Sequence, residues 1–461
     1  MTEEKKQNLN KLIFIIFEIF SVISCITCIL LIKVEEKQLL ALLPLGFAVI
    51  TLFFQKELMQ DNIIILIIDA LYFVRLSILP FLYSFNCDIQ LFEGKEYVSS
   101  YINKSCILML FEFLAIQITI YLHSHRKNND KIKVKYINIK ENISKFLIIG
   151  LSAYIIIVYC FMPQYAESFK TILNLSDADF TIAGDSIVYQ IGTIGRIIKT
   201  LFSMSFQIIR ILLPAYIIRS VCKKNASPKL AFAVLIVFCL LQFFFLTSTF
   251  AEAIVACLAI ILYYLHLFPS KKKKIIMLIG ISTIGIMIVY FAVRYFSKNS
   301  SIYDKSSGPI LYMAQIISAY FTGPDNVAAI FNVDKSFGKE AFKAGIIGAI
   351  PFNSTLFGDR GNKLQYYYNR AYGQIPPTIG AGYYYFGFIL APIISILFVK
   401  LSLVYYDKAQ KINKSIKYIS EIFCSITFAL GTVMYSPSIT LAWFFSWGIP
   451  MLILTSFTGE K

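Results

Sequence analysis

The sequence predicts an all-α, polytopic integral membrane protein of about twelve transmembrane helices, a single membrane domain over residues 1–461 with one large extracytoplasmic loop. Three observations lead there. Hydrophobic residues make up 57% of the chain, aromatic residues 16% and charged residues only 15%, whereas a soluble domain carries about 25% charged residues. The apolar residues gather into about twelve stretches near the ~20 residues that cross a bilayer core as a helix. Lysines cluster on alternate connections between those stretches.

In order, the stretches lie at about 12–32, 39–54, 62–85, 105–122, 145–162, 197–218, 230–249, 253–268, 275–294, 382–402, 418–435 and 439–456. The first is too long, and too rich in flanking Glu and Gln, for a cleaved signal peptide, and no small-residue cleavage site follows it, so it reads as a retained helix. Basic residues recur at Lys5, Lys6 and Lys11, from Arg126 to Lys140, at Arg219, Lys223, Lys224 and Lys229, at Lys271 to Lys274, and at Lys408, Lys411 and Lys414. With twelve spans, all of these fall on one side. Cytosolic loops carry the excess of Lys and Arg, so both termini are expected in the cytosol. That sidedness also accounts for the net charge of +16, and no nucleic-acid partner is implied. The connection 295–381, between the ninth and tenth spans, then faces outward; at about 85 residues it is the one long polar excursion. Loops of that length on a rigid scaffold are where function concentrates.

Cysteine and histidine narrow the chemistry. Cys25 and Cys28 have CxxC spacing but lie within a span, where packing is their expected role. His123, His125 and His266 all fall at cytosolic helix ends, so an outward-facing site has no histidine as base or ligand. That removes a Ser-His-Asp hydrolase and a zinc enzyme. Carboxylates, Lys, Arg and Tyr remain.

Glu18, Asp69, Arg75, Glu112 and Arg210 lie within spans, where ionisable groups are costly and face the bundle interior or a hydrated cavity. For the first four, an interhelical contact is the competing account. Asp69 and Arg75 are six residues apart and do not share a helix face. Arg196, Lys199, Ser203 and Arg210 advance by three, four and seven residues, which predicts one stripe running inward along an unbroken helix. Snorkelling explains Arg196 and Lys199, but Arg210 sits too deep for it, and an anion track is the alternative.

Three outer features carry candidate chemistry. Asp177 and Asp179 form a DxD pair, followed by Asp185; such a pair holds a divalent metal on a sugar diphosphate, and a solvated acidic loop is the plainer account. Glu252 closes the hairpin Thr247 to Glu252 at the mouth of two helices. In the long loop, 309–333 reads as two short amphipathic helices broken at Gly323-Pro324, with Asp325 as N-cap of the second. Beyond Pro351 follow Asp359, Arg360, Lys363, Tyr366, Tyr367, Tyr368 and Arg370. Aromatic faces stack on pyranose rings while guanidinium forks grip phosphate oxygens; membrane anchoring competes for the tyrosines nearest the bilayer.

Two segments of the long loop stand out, Ser318-Ala-Tyr-Phe-Thr-Gly-Pro-Asp-Asn326 and Gln374-Ile-Pro-Pro-Thr-Ile-Gly-Ala-Gly-Tyr-Tyr-Tyr-Phe-Gly387. On these, and on its many spans, a moderate outer loop before an Arg-bearing helix and one large outer loop before the last three spans, the chain resembles the bacterial oligosaccharide repeat-unit polymerases, the Wzy type of O-antigen and capsular polysaccharide pathways. Family members often carry a Gly-Ser-Arg-like turn where this chain has Thr247 to Glu252, so the hairpin's role is not carried over. The resemblance implies undecaprenyl-diphosphate-linked oligosaccharides as substrates, a place in the bacterial cytoplasmic membrane, and a flippase and a chain-length regulator as further partners. It implies glycosyl transfer to a sugar hydroxyl, without cofactor or metal. The expected diphosphate ligands are Arg196, Arg210, Arg294, Arg360 and Arg370. Asp325, Asp359 and Glu252 are the candidate bases, and Tyr320, Tyr366, Tyr367 and Tyr368 the sugar-stacking residues. A flippase or other transporter, and a ligase attaching glycans or teichoic acids to an acceptor, remain open. Transporters usually show repeated halves, and no internal repeat is evident here.

Overall fold

The computed structural model describes residues 3–54, 62–85, 100–129, 142–163, 165, 192–223, 228–242, 250–269, 295–296, 308–331, 338–353, 356, 376–412 and 415–456. Among these residues every regular element is a helix. The first half contains α1 (Glu3–Leu31), α2 (Leu42–Phe53), α3 (Ile63–Ser84, with a π-helical turn at Val74–Ile78), α4 (Ser100–Asn129) and α5 (Asn142–Phe161). Next come α6 (Thr193–Lys223), α7 (Pro228–Leu241) and α8 (Phe250–Leu267). Then follow α9 (Pro309–Phe321), α10 (Pro324–Ile330), α11 (Gly338–Ala349) and α12 (Thr378–Phe386). The chain closes with α13 (Ile393–Gln410), α14 (Lys417–Gly431) and α15 (Pro437–Ser456, with a π-helical turn at Phe444–Gly448).

Six helical stretches among the described residues are long and apolar enough to cross a membrane: Lys11–Leu31, Glu35–Phe53, Ile63–Ser84, Tyr101–Arg126, Thr193–Cys222 and Pro437–Ser456. They coincide with the first four, the sixth and the last of the stretches read from the sequence. Shorter apolar helices cover Ile148–Phe161, Pro228–Leu241 and Glu252–Leu267. The stretch 275–294, with Arg294, lies outside the described residues.

The bundle is apolar outward and polar inward. On α1, Ile16, Ile19, Ile29 and Leu30 are each more than half exposed, a surface that water would not tolerate as one patch. Buried inside are Arg75, Glu112, Gln117, Gln207, Arg210 and Gln315. At the centre stands α14, on which every residue from Tyr418 to Gly431 is buried. It packs along α13 through small side chains: the Ser402 hydroxyl donates to the Ser425 carbonyl at 2.7 Å, and Ser425 returns the bond to Ser402 at 2.8 Å. Serines let two backbones approach closely and satisfy each other where no water is present.

Two sequence expectations are corrected here. The segment 309–333 forms two short helices broken at Gly323-Pro324, as expected, but they are buried more deeply than an amphipathic pair. On α9 an unbroken set, Ala314, Gln315, Ile316, Ile317 and Ser318, is buried, whereas a surface helix buries one face only. Leu311, Ala314 and Ile317 pack on Leu79, Leu82 and Tyr83 of α3, and Val327 and Ala328 of α10 join the main core. The hairpin is inserted into the bundle.

The stretch 382–402 is not one helix. It is split between α12 and α13, because Gly387 takes φ +81°, a region that suits glycine. The chain then folds back, so that Gly382 lies against the Ala391 carbonyl with no room for a Cβ.

Candidate functional site

The hairpin α9–α10 turns at Thr322-Gly323, and around that turn two polar clusters meet. Thr322 is left-handed, φ 45° and ψ 69°, an uncommon conformation for a residue with a Cβ. Two bonds hold it there. The Thr322 hydroxyl donates to the Val433 carbonyl at 2.7 Å, and Arg75 Nε donates to the Thr322 carbonyl at 2.9 Å. Arg75 lies in the π-helical turn of α3 and pairs with Glu112 of α4 at 2.7 Å, both side chains fully buried. The Ser395 hydroxyl of α13 donates to the other Glu112 oxygen. Thus one ion pair ties α3, α4, α13 and the hairpin turn together. Arg75 and Glu112 are interhelical contacts, as are Asp69 with Gln117 at 2.6 Å and Glu18 with Thr51.

Asp325 belongs to the second cluster, and the expectation that it caps α10 is corrected. Gly323 holds the N-cap position and no side chain caps the helix. Asp325 Oδ1 instead accepts from Ser318 at 2.6 Å and from Tyr83 at 2.9 Å, while Asn326 donates to the Ser318 carbonyl at 2.8 Å. Gly323 is required by this arrangement, because a Cβ there would press on the Ser318 hydroxyl and the Asp325 carboxylate. The candidate base Asp325 is therefore bound into the turn.

The third cluster forms around Arg210, midway along α6. That helix runs unbroken from Thr193 to Lys223, as the Arg196, Lys199, Ser203 and Arg210 stripe requires. Over the 14 residues between them, Arg196 stands about 21 Å from Arg210 along the axis. Gln242 Nε2 donates to the Arg210 backbone carbonyl at 2.9 Å. The guanidinium reaches Gln242 Oε1 at 3.4 Å and Glu252 Oε2 at 3.6 Å. Gln207 Nε2, one turn earlier, donates to the same Glu252 oxygen at 3.2 Å. Glu252, in the first turn of α8, is thus brought to Arg210 from a distant part of the chain.

An aromatic wall closes this cluster. The π-helical turn of α15 widens the helix at Phe444–Gly448, and Arg210 lies 6.0 Å from the Trp447 ring centre. Trp447 stacks on Trp443 at 4.9 Å, and Trp443 meets the Tyr435 ring tilted by 55°, centres 4.5 Å apart. Tyr435 is within electrostatic reach of Glu252, Tyr320 and Arg210. Its buried hydroxyl, and the buried Oε1 of Gln207, have no hydrogen-bond partner among the described residues. A donor and an acceptor left open here can take a polar ligand, and Arg75 Nη2 and the Tyr72 hydroxyl of the first cluster are likewise without a hydrogen-bond partner among the described residues.

Of the residues expected from the sequence, Arg210 and Glu252 are brought together, while Tyr320 packs against the main core. Asp325 is held at the hairpin turn, and Arg196 stands at the far end of the same helix. Asp177, Asp179, Asp185, Arg294, Asp359, Arg360, Tyr366, Tyr367, Tyr368 and Arg370 lie outside the described residues. Sequence reasoning missed Tyr435, Gln207, Gln242, Trp443 and Trp447. The signal that was available is their type: both tryptophans of the chain and two glutamines sit within apolar helices. No family model, curated protein or solved structure matches the chain.

Proposed function

We propose that this chain polymerises undecaprenyl-diphosphate-linked oligosaccharide repeat units at the outer leaflet of a bacterial cytoplasmic membrane, as a protein of about twelve spans with both termini in the cytosol. The observation that carries the reading is the Arg210–Glu252 cluster with its open Tyr435 hydroxyl and Gln207 carbonyl. Transfer from a lipid diphosphate to a sugar hydroxyl has two demands. Negative charge develops on the departing phosphate oxygen, and the attacking hydroxyl must lose a proton. Arg210 meets the first by donating to that oxygen, which needs no reorganisation in a site preset for it. Glu252 meets the second as the carboxylate beside the guanidinium. The acceptor oxygen forms the new bond to the anomeric carbon, its proton passes to Glu252, and the diphosphate leaves with the bonding electron pair. Trp447, 6.0 Å from the Arg210 guanidinium, gives the site an aromatic wall.

The test is a surface-glycan ladder from cells with and without the protein, complemented by Arg210→Ala. Loss of long chains with retention of single lipid-linked repeats at the outer leaflet supports polymerisation. A second reading, a flippase of the same lipid-linked units, is favoured by the break between α9 and α10 at Thr322-Gly323, since interrupted helices in the bundle are a transporter trait. In that case the single repeats accumulate on the inner leaflet.

A further inference from the structure

Asp69 of α3 and Gln117 of α4 form a buried pair that the Arg210 cluster does not use. Both lie in stretches long and apolar enough to cross a membrane. Gln117 Nε2 donates to Asp69 Oδ1 at 2.6 Å. The two remaining oxygens, Asp69 Oδ2 and Gln117 Oε1, have no hydrogen-bond partner among the described residues. Buried polar atoms are ordinarily satisfied, and here two acceptors on side chains already joined to each other are both left open.

The surroundings are apolar. Ile65, Ile68 and Tyr72 of α3, with Phe113 and Ile116 of α4, belong to the main core. Charged groups on the helices packed against this part of α3 are engaged elsewhere. Glu112 of α4 holds Arg75 and accepts from Ser395, and Asp407 of α13 pairs with His123 at 2.9 Å. Glu421 of α14 lies within electrostatic reach of Lys408 and Lys417. Lys400 is exposed, and Leu42–Phe53 of α2 contains no ionisable residue. Among the described residues, Gln117 is the one group that acts on Asp69. An ionised carboxylate there would keep its desolvation cost with a single amide to offset it.

One hydrogen resolves both open atoms. A carboxylic acid and a primary amide are planar groups that each present a donor and an acceptor, whereas a carboxylate only accepts. With the amide N–H already on Oδ1, a hydrogen on Oδ2 can donate to Gln117 Oε1 and close a second bond beside the first. We propose that Asp69 is a proton-binding site within the membrane, its carboxyl held as the neutral acid and paired edge to edge with the Gln117 amide. The pair then ties α3 to α4 without placing a charge in the apolar interior, and it stands whether or not the chain is a polymerase.

The test is infrared spectroscopy of the full-length protein in detergent at neutral pH, wild type minus Asp69→Asn. The exchange should remove a carboxylic-acid C=O band that shifts in D2O, with no loss of carboxylate bands. Asn presents a carbonyl and an N–H where the acid presents a carbonyl and an O–H, so the unfolding midpoint should stay at the wild-type value. Gln117→Leu leaves the acid buried without its partner and should lower the midpoint by several degrees. Loss of carboxylate bands in the difference spectrum overturns the proposal. So does an Asp69→Asn protein that fails to fold or whose midpoint moves by several degrees in either direction, and so does an unchanged midpoint in Gln117→Leu. A wild-type midpoint that rises with added Na⁺ or K⁺, and no longer does so in Asp69→Asn, overturns it as well, because a metal cation would then sit where the proton is placed.

Discussion

Exchanging Arg210 for Lys and, separately, Glu112 for Gln should divide the two buried arginine clusters into one that acts and one that holds. Arg75 is gripped at 2.7 Å by Glu112 and at 2.9 Å by the Thr322 carbonyl. Both lengths are those of strong, charge-assisted bonds. The guanidinium of Arg210 stands 3.4 Å from Gln242 and 3.6 Å from Glu252, beside the open Gln207 carbonyl. Glu112→Gln leaves Arg75 as a buried cation without its counter-charge. That costs ~2.5–3.5 kcal/mol on the membrane-insertion scale and about 3–5 kcal/mol when a buried pair loses one partner. The unfolding midpoint should drop by several degrees, with activity falling only as folded protein falls. Arg210→Lys keeps the charge beside Glu252 but loses the planar fork. Stability should hold, and chain extension should slow about 100-fold, the effect of removing one transition-state donor.

The assay pairs thermal unfolding of detergent-solubilised protein with the glycan ladder and the level of single lipid-linked repeats in the same cells. The reasoning is refuted if Arg210→Lys retains a wild-type ladder at wild-type protein level. It is refuted equally if Glu112→Gln unfolds at the wild-type midpoint.

Tyr435→Phe removes one buried hydroxyl and no volume the core needs, so the protein should insert normally while losing roughly tenfold or more in chain extension; an unchanged ladder would return Tyr435 to core packing. Trp447 stands beside Arg210 and Trp443, the chain's other tryptophan, stacks on it, so added undecaprenyl diphosphate should change the intrinsic fluorescence of the wild type and not of Arg210→Ala. A cysteine at Ser306, in a background lacking Cys87 and Cys160, should react with an impermeant maleimide on intact cells, whereas labelling at Ser270 instead would invert the topology. Polymerisation by purified protein should survive EDTA; loss restored by Mg²⁺ or Mn²⁺ would give the leading role to Asp177 and Asp179.

The long helices were legible because a bilayer imposes one length and one composition on anything that crosses it. The unbroken α6 followed from the spacing of Arg196, Lys199, Ser203 and Arg210, and the burial of Cys25 and Cys28 from their place in a span. Hydropathy says little about how deeply a short helix packs. The two helices of the hairpin α9–α10 and their break at Gly323-Pro324 were legible, but their burial was not. Its burial depends on partners far away in sequence: Tyr83, Arg75 and Val433. The same limit hid Tyr435 and Gln207. Each is an ordinary residue in an apolar run, and only the fold brings them to Arg210. Glu252 could be suspected as a lone carboxylate at a helix mouth, but nothing local tied it to Arg210.

The break at Thr322-Gly323 and the turn between α14 and α15 also bear on which reading the molecule favours. In carriers with interrupted helices, the unwound backbone carbonyls are kept for a coupling cation. Here the molecule turns its own donors on them. The Thr322 hydroxyl takes the Val433 carbonyl, Arg75 takes the Thr322 carbonyl, and the Thr378 hydroxyl stands 2.6 Å from the Gly431 carbonyl and 2.8 Å from that of Tyr435. These bonds run between α3, the hairpin, α12 and the α14–α15 turn, so the break and the turn are locked together rather than free to rock. A locked junction serves poorly as an alternating gate. It serves well to hold Tyr435 and Trp443 at a fixed distance from Arg210, which is what transfer between two bound substrates needs, since rate is lost quickly when reacting groups are misplaced. Loosening the lock with Thr378→Val should therefore impair chain extension, whereas an exporter that depended on opening there would be left intact or quickened.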